Sequence, residues 1–427
     1  MKVKSGVSYS EVLNKPKKKV RKPNRPSFLL GTLIRVVSLP DLIATKFKYK
    51  KIGMEKLGKR EPCFILMNHS SFIDLKIANR LLYPRKYNIV TTSDGFIGKN
   101  WLMRNIGCIP TKKFVSDISL LKDMMYAVKR YNSSILMYPE ASYSFDGTAT
   151  PLPESLGRCI KMMELPVIMI KTEGAFTRDP LYNNLQLRRV EVSATMEYLL
   201  SPEDIKGMKT SEINSLLKDR FTFDNFLWQK ESGVEIDESF RADSLNRVLY
   251  KCPNCLCEGE TVGKGTTLTC NACGKVYEML PDGSMKAKEG ETEFSHIPDW
   301  YKWERECVKK EIEDGTYKLD IDVKICAMVD TDCIYDVGDG HLTHSREGFH
   351  LTGCDGELDY IQKPLASYSL YADYFWYKLG DIICIGNNDI LYYCFPKGEG
   401  DIVAKTRLAA EELYKIVRSE KRNRPIE

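Results

Sequence analysis

From Cys63 to about Leu200, short apolar runs alternate with longer stretches in which apolar residues recur every three or four positions. The runs CFILM, YNIVTT, SSILMYP, LPVIMIK and RRVEVSATMEYL predict strands; the stretches Asp74–Leu82, Asp117–Tyr131 and Leu156–Met163 predict helices. That alternation predicts an α/β domain over 51–249 with a mostly parallel sheet flanked by helices, its last part, from Pro202, polar and helical. A Gly-, Lys- and Glu-rich stretch, PDGSMKAKEGETE, predicts a linker over 281–297, and PDWYKWERECVKKEIEDG predicts a helix after it. Trp300, Tyr301 and Trp303 of that helix either pack it onto a neighbour or anchor it at a membrane interface.

The last third changes pattern. Short strand-like pieces (YKLDIDVKICAMV, HLTHSREGFHLTG, ELDYIQKP, DYFWYKLGDIICIG, DILYYCFP) are separated by Gly, Asp or Asn turns, and DIVAKTRLAAEELYKIVRSEK closes the chain as a helix. Residues 298–427 are therefore expected to form a β-rich domain closed by a helix, resembling a pleckstrin-homology-like roll. SLYADYFWYKLGD within it predicts a core strand. No tandem repeat is present.

Charge changes the picture mainly at the start. Between Met1 and Pro26 nine Lys or Arg face one acid, Glu11, in a chain whose net charge is +5, so a basic disordered arm is expected over 1–26. Behind it, Ser27–Ile43 falls short of the ~20 apolar residues that a bilayer span needs and contains Arg35, Pro40 and Asp41. Leu29, Leu33, Val36 and Val37 recur at helical spacing, so 27–50 reads as an amphipathic helix, lying in the headgroup plane of a membrane or docked on its own domain. Fourteen cysteines in 427 residues, without a hydrophobic leader, exclude a small secreted disulfide scaffold and point to a reducing, cytoplasmic location.

Four of those cysteines form a pattern. Cys252-x-x-Cys255, fourteen residues, then Cys270-x-x-Cys273 is the spacing of a four-thiolate zinc ribbon, expected over 250–280. Four protein ligands leave no open position, so Zn2+ would be structural. The ribbon is not strongly basic and Glu258 and Glu260 follow its first knuckle, so no nucleic-acid partner is expected. Cys257 is a spare thiol.

Candidate chemistry lies where two predicted strands end. FILMNHSSFIDL places His69 just after the strand CFILM and Asp74 five residues on. On one helix such residues would point about 140° apart. They can meet if His69 lies in the turn and Asp74 in the first helical turn, with Asn68, Ser70 and Ser71 as capping types. That puts an imidazole at the C-terminal edge of a parallel sheet, where such folds gather ligands, with a carboxylate to fix its tautomer. His69 is then a general base or a structural, hydrogen-bonded histidine. His350 with Asp355 repeats the spacing without a following helix and reads as a surface histidine. ILMYPEASYSFDG is a second strand ending in polar residues, with Glu140 after Pro139.

At these residues the chain resembles the glycerophospholipid acyltransferases, of which lysophosphatidate acyltransferase is the best known. Four blocks occur in the family's order: NHSSFID; GCIPTKK, Gly107–Lys113; YPEASYS, Tyr138–Ser144; and ELPVIMIKTEG. The resemblance spans about Lys56–Leu200, and 51–249 becomes an expected acyltransferase domain. It implies transfer of an acyl group from acyl-CoA or acyl carrier protein to the hydroxyl of a lysophospholipid, 1-acyl-glycerol-3-phosphate in the first place. His69 would be the base and Asp74 its orienter. Glu140 would bind the acceptor's glycerol backbone, and Lys112 or Lys113 its phosphate. Asn68, Pro139 and Ser142 would join the substrate-binding residues. The protein would act peripherally on the inner face of a membrane, with the membrane surface as a partner. Two departures bear on the acceptor: Ala141, Ser142 and Tyr143 stand where the family has Gly and then Thr-Arg, and Lys113 stands where Arg is common. A lysolipid without a terminal phosphate is the alternative acceptor. A lipid-holding zinc-ribbon scaffold that does not turn lipid over is the alternative function.

Overall fold

The computed structural model describes residues 1–16, 21–115, 117–398 and 400–423. The chain opens with β1 (Val3–Lys4) and α1 (Tyr9–Leu13), followed by α2 (Phe28–Ala44) and β2 (Lys48–Ile52). Then come β3 (Phe64–Met67), α3 (Asp74–Leu82), β4 (Tyr87–Thr92), α4 (Asn100–Ile106), β5 (Cys108–Thr111), α5 (Ile118–Tyr131), β6 (Ser134–Met137), α6 (Ser155–Met163) and β7 (Val167–Glu173). After α7 (Ala175–Arg178) and β8 (Ser193–Leu200), three helices, α8 (Pro202–Gly207), α9 (Thr210–Arg220) and α10 (Asn225–Glu231), complete this part.

Seven of these strands form one sheet in the order β2-β8-β7-β3-β6-β4-β5. β3 to β7 run parallel, and β8 turns back antiparallel to β7. The sequence explains why β3 is central. All four of its side chains are fully buried: Ile65 and Met67 pack in the core beneath α3 and Phe64 and Leu66 in the core beneath α5, α6 and α9. A strand covered on both faces needs a continuous apolar run, and FILM is one. Helix α5 starts where Asp117 accepts a hydrogen bond from Ser119 N at 2.7 Å and stops where Asn132 turns left-handed at φ 51°.

The next unit is a four-stranded antiparallel sheet, β9 (Thr261–Lys264), β10 (Thr267–Cys270), β11 (Val276–Met279) and β12 (Met285–Ala287). Helix α11 (Ile297–Glu313) leads into β13 (Leu319–Met328), β14 (Ile334–Ser345), β15 (Gly348–Gly353), β16 (Leu358–Gln362), β17 (Tyr371–Trp376), β18 (Gly380–Gly386) and β19 (Leu391–Pro396). These seven pair in the order β16-β15-β14-β13-β19-β18-β17, and α12 (Val403–Asn423) packs on α11 and on the β17 and β18 end.

Two expectations need correction. Residues 1–16 are not a disordered arm: β1 pairs with β14, and Tyr9 and Val12 of α1 are buried in the C-terminal core, so apolar burial outweighs the charge around them. Arg21, Lys22, Pro23 and Asn24 lie on the first domain, their carbonyls accepting from Arg104, Tyr131 and Asn88; Lys17, Lys18 and Lys19 lie outside the described residues. Nor is 281–297 a free linker. Met285 and Ala287 are buried in β12, and Glu293 accepts from Tyr277 Oη at 2.7 Å, so the ribbon sheet runs to Ala287.

Candidate active site

Parallel strands end on the same side, so β3, β6, β4 and β5 deliver His69, Glu140, Asp94 and Lys112–Lys113 to one edge of the sheet. His69 Nδ1 lies 3.1 Å from Asp74 Oδ2. The same oxygen accepts the N–H groups of Ser70 at 2.8 Å and Ser71 at 3.0 Å, so the carboxylate organises the turn, and the serines donate to it from their backbone rather than capping α3 with their hydroxyls. Asp74 is 1% exposed and its Oδ1 has no hydrogen-bond partner. With Nδ1 directed at Asp74, Nε2 is the nitrogen left to take a proton. Burial lowers the imidazole below its usual value of 6.5, with Asp74 acting against it, so the ring is neutral and a base at neutral pH.

Two tyrosines hold the ring. Tyr138 and Tyr143 each place a ring centroid 4.2 Å from that of His69, inclined by 29° and 32°. Two rings so close and so nearly parallel to it cannot share one face, so the imidazole is sandwiched. Its side chain is 21% exposed. Tyr143, at the position where the resemblance sets an Arg, thus lays a ring against the base.

Glu140 is 1% exposed, and both its oxygens are used from within: Oε2 accepts from His69 N at 2.9 Å, and Oε1 from Thr150 N at 3.0 Å and Thr150 Oγ1 at 3.3 Å. It braces the backbone of the base rather than facing an acceptor. Burial pushes its carboxyl up to about 7. Pro139 is buried beside it, and Ser142 is buried with a hydroxyl that has no partner. Asn68 is fully buried; its Oδ1 accepts from Thr172 N at 2.8 Å, and its Nδ2 donates to Ser70 Oγ at 3.1 Å. It ties β3 to β7 and presents nothing to a substrate.

The lysines are engaged by the C-terminal strands. Lys112 Nζ donates to Asn388 O at 2.6 Å and Asn387 O at 3.3 Å, in the turn between β18 and β19. Lys113 Nζ lies 4.0 Å from the centroid of the Tyr371 ring on β17. Between them and His69, Asp94 is 1% exposed, its Oδ2 accepting from Tyr371 Oη at 2.7 Å, Trp376 Nε1 at 3.3 Å and Tyr393 Oη at 3.4 Å. On the other flank Asp179 accepts from Ser71 Oγ and pairs with Arg178, whose guanidinium also reaches Asp41 of α2 at 3.7 Å. Asp94, Arg178 and Asp179 are not among the residues that the motifs single out. Each follows a strand, YNIVTT or VIMIKTE, so reading every parallel strand end as was done for His69 would have found them.

The four cysteines come together as their spacing implies. The Cys252 and Cys273 sulfurs are 3.8 Å apart, those of Cys255 and Cys270 3.6 Å, and all four lie within 4.8 Å of one another. A tetrahedral ion with bonds of about 2.3 Å to sulfur sets its ligands roughly 3.8 Å apart. The group can thus hold a metal ion.

The site is thus a half-buried histidine backed by a buried aspartate at the strand ends of an α/β domain. Residues 48–171, which hold His69, Asp74, Lys112, Lys113 and Glu140, match the family model described as Acyltransferase. Among solved structures the chain is similar to the crystal structure of the 1-acyl-sn-glycerophosphate (LPA) acyltransferase, PlsC, from Thermotoga maritima, at 14% identity and a TM-score of 0.37, covering 45% of this chain and 76% of that one. No curated protein matches the chain.

Proposed function

We propose that the protein is a peripheral O-acyltransferase that moves a fatty acyl group from acyl-CoA or acyl carrier protein to the free hydroxyl of a lysophospholipid. The observation that carries this reading is the His69–Asp74 pair, with Nε2 left over, in the span that matches the Acyltransferase family model. Nε2 removes the hydroxyl proton as the acceptor oxygen attacks the thioester carbonyl. The ester C–O bond forms, the C–S bond breaks, and the departing sulfur takes the proton from His69. Asp74 stabilises the imidazolium between the two transfers, and no acyl-enzyme is needed.

The resemblance names 1-acyl-glycerol-3-phosphate as acceptor; Tyr143 in the place of Arg, and a Lys112 already bound to two carbonyls, favour a lysolipid without a terminal phosphate. Cys252, Cys255, Cys270 and Cys273 would hold a structural Zn2+, which takes no part in acyl transfer. Helix α2 would rest on the inner face of the cytoplasmic membrane, its exposed apolar residues among the headgroups.

The test is thiol release from acyl-CoA or acyl carrier protein in the presence of a panel of lysolipids. His69→Ala should lower it by roughly 10²- to 10⁴-fold, the contribution of a positioned base, with the melting curve retained. Equal turnover by wild type and variant would remove the enzyme reading.

A further inference from the structure

The headgroup end of the acceptor site, on the reading above, is the edge beyond β6 where β4 and β5 terminate. There the C-terminal sheet supplies part of the surface. Tyr371 and Asp373 sit two apart on β17 and so face the same way, and Tyr371 lies on Lys113 and on Asp94. Lys113 is within electrostatic reach of both His69 and Asp373, and Asp373 in turn of Asp94 and Tyr143. The edge is therefore not a simple cationic pocket. Among the described residues neither Asp94 nor Asp373 has a cation within 4.0 Å, and Asp94 Oδ1, in a side chain 1% exposed, has no hydrogen-bond partner. The Tyr371 ring, which bears the hydroxyl bound to Asp94, adjoins that carboxylate, and Tyr377 is within electrostatic reach of both.

A phosphomonoester carries nearly two negative charges at pH 7 and needs several cations. Here it would meet two carboxylates, while Lys112 is bound to main-chain carbonyls. A phosphodiester carries one charge, which Lys113 alone can balance, and an ammonium beyond it would meet rings and carboxylates, the surroundings that such cations take. We propose that the acceptor is a zwitterionic lysophospholipid, a phosphodiester bearing an ammonium group, and that Asp373 is the specificity-determining residue that receives the ammonium while Lys113 meets the phosphate. Burial pushes the Asp373 carboxyl up to about 7 in the absence of such a partner, and a bound ammonium would favour its charged form.

The inference rests on the acyltransferase reading, and one experiment separates them. Thiol release is followed with the full-length protein, palmitoyl-CoA or palmitoyl acyl carrier protein as donor, and lysophosphatidylethanolamine, lysophosphatidylglycerol or lysophosphatidate as acceptor. The expected result is a kcat/KM for the ethanolamine lipid roughly tenfold or more above that for the glycerol lipid, the size of one charge-assisted hydrogen bond, and higher again than for lysophosphatidate. Asp373→Asn, nearly identical in shape, should bring the ethanolamine-to-glycerol ratio close to unity, with an unchanged melting curve showing that the fold is intact. Best use of lysophosphatidate, a ratio near unity in the wild type, or a ratio unchanged in Asp373→Asn overturns the inference while leaving acyl transfer standing. No release with any acceptor, in wild type and His69→Ala alike, overturns the reading beneath it as well.

Discussion

At the scale of single residues, the block YPEASYS shows what its own side chains do beside the base. Ala141 has φ 58°, in the left-handed region where glycine is at ease and a Cβ costs roughly 1–2 kcal/mol. The backbone there takes a turn that suits glycine, and two residues on, Tyr143 lies against the base. Gly107 in GCIPTKK is held more strictly: at φ 104°, a Cβ there would come 2.7 Å from Pro26. Glu140 offers a test by pH. Its folded carboxyl binds a proton more tightly than the unfolded one, whose value is 4.5, and releases it only near 7. The stability that this gives is complete below 4.5 and is lost as pH rises through 7, a change of about 3 kcal/mol. Glu140→Gln should therefore shrink the drop in melting temperature between pH 5 and pH 7.5. An equal drop in both proteins would show that the carboxyl is ionised throughout.

At the scale of elements, the alternating pattern revealed much and concealed specific things. Apolar runs buried on both faces, such as FILM, and helices with one apolar stripe, such as Asp74–Leu82, announce themselves by period. The same pattern allowed His69 to meet Asp74 on the condition that turn gives way to helix between them, and α3 does begin at Asp74. Period does not say which neighbour covers a stripe, and α2 shows why. Arg35, Ser38 and Leu42 lie on its docked side: Arg35 lies over the Tyr83 ring, while Ser38 and Leu42 are buried. Leu29, Leu33, Val36 and Val37, the residues that announced the helix, are exposed by 55 to 79%. Among the described residues no helix is long and apolar enough to cross a membrane, but this face, followed by the exposed β2 with Lys50 and Lys51, is fit to lie on one. Each apolar side chain moved from water into lipid contributes about 1.5–3 kcal/mol. Leu33→Glu together with Val37→Glu should thus weaken binding to anionic phosphatidylglycerol vesicles by roughly a hundredfold in flotation, without lowering the melting temperature. An unchanged bound fraction would confine α2 to a role within its own domain.

At the scale of the whole molecule, the parts are tied together through the site, which no local pattern could reveal. Glu411 of α12 is 1% exposed; burial works to raise its carboxyl, but Arg305 and Arg407 hold it down at about 2. Arg407 continues to Tyr143 O at 3.3 Å, so the closing helix touches the loop that bears Glu140 and Tyr143. The ribbon lies in the same web. Arg241 Nε donates to Met279 O at 2.6 Å and Gln229 Nε2 to Pro281 O at 2.9 Å, while the Tyr277 ring meets that of Trp300 on α11 at 4.9 Å. Phe145, Phe176 and Phe226 of the first domain share one core with Leu268, Tyr277 and Trp300. A ribbon this small has little core of its own, so a bound metal ion would hold its shape, and that shape would be felt at Phe145, five residues from Glu140. The purified protein should contain about one zinc per chain, and Cys270→Ser should lose it. Cys257→Ser should keep it, because Cys257 is exposed and outside the four-sulfur group. Stripping zinc with a chelator should lower the melting temperature of the whole protein in a single transition, and acyl transfer should fall with it. If the metal-free protein instead melted at the same temperature and kept its activity, the ribbon would be an appendage and the continuity of the core would carry no coupling.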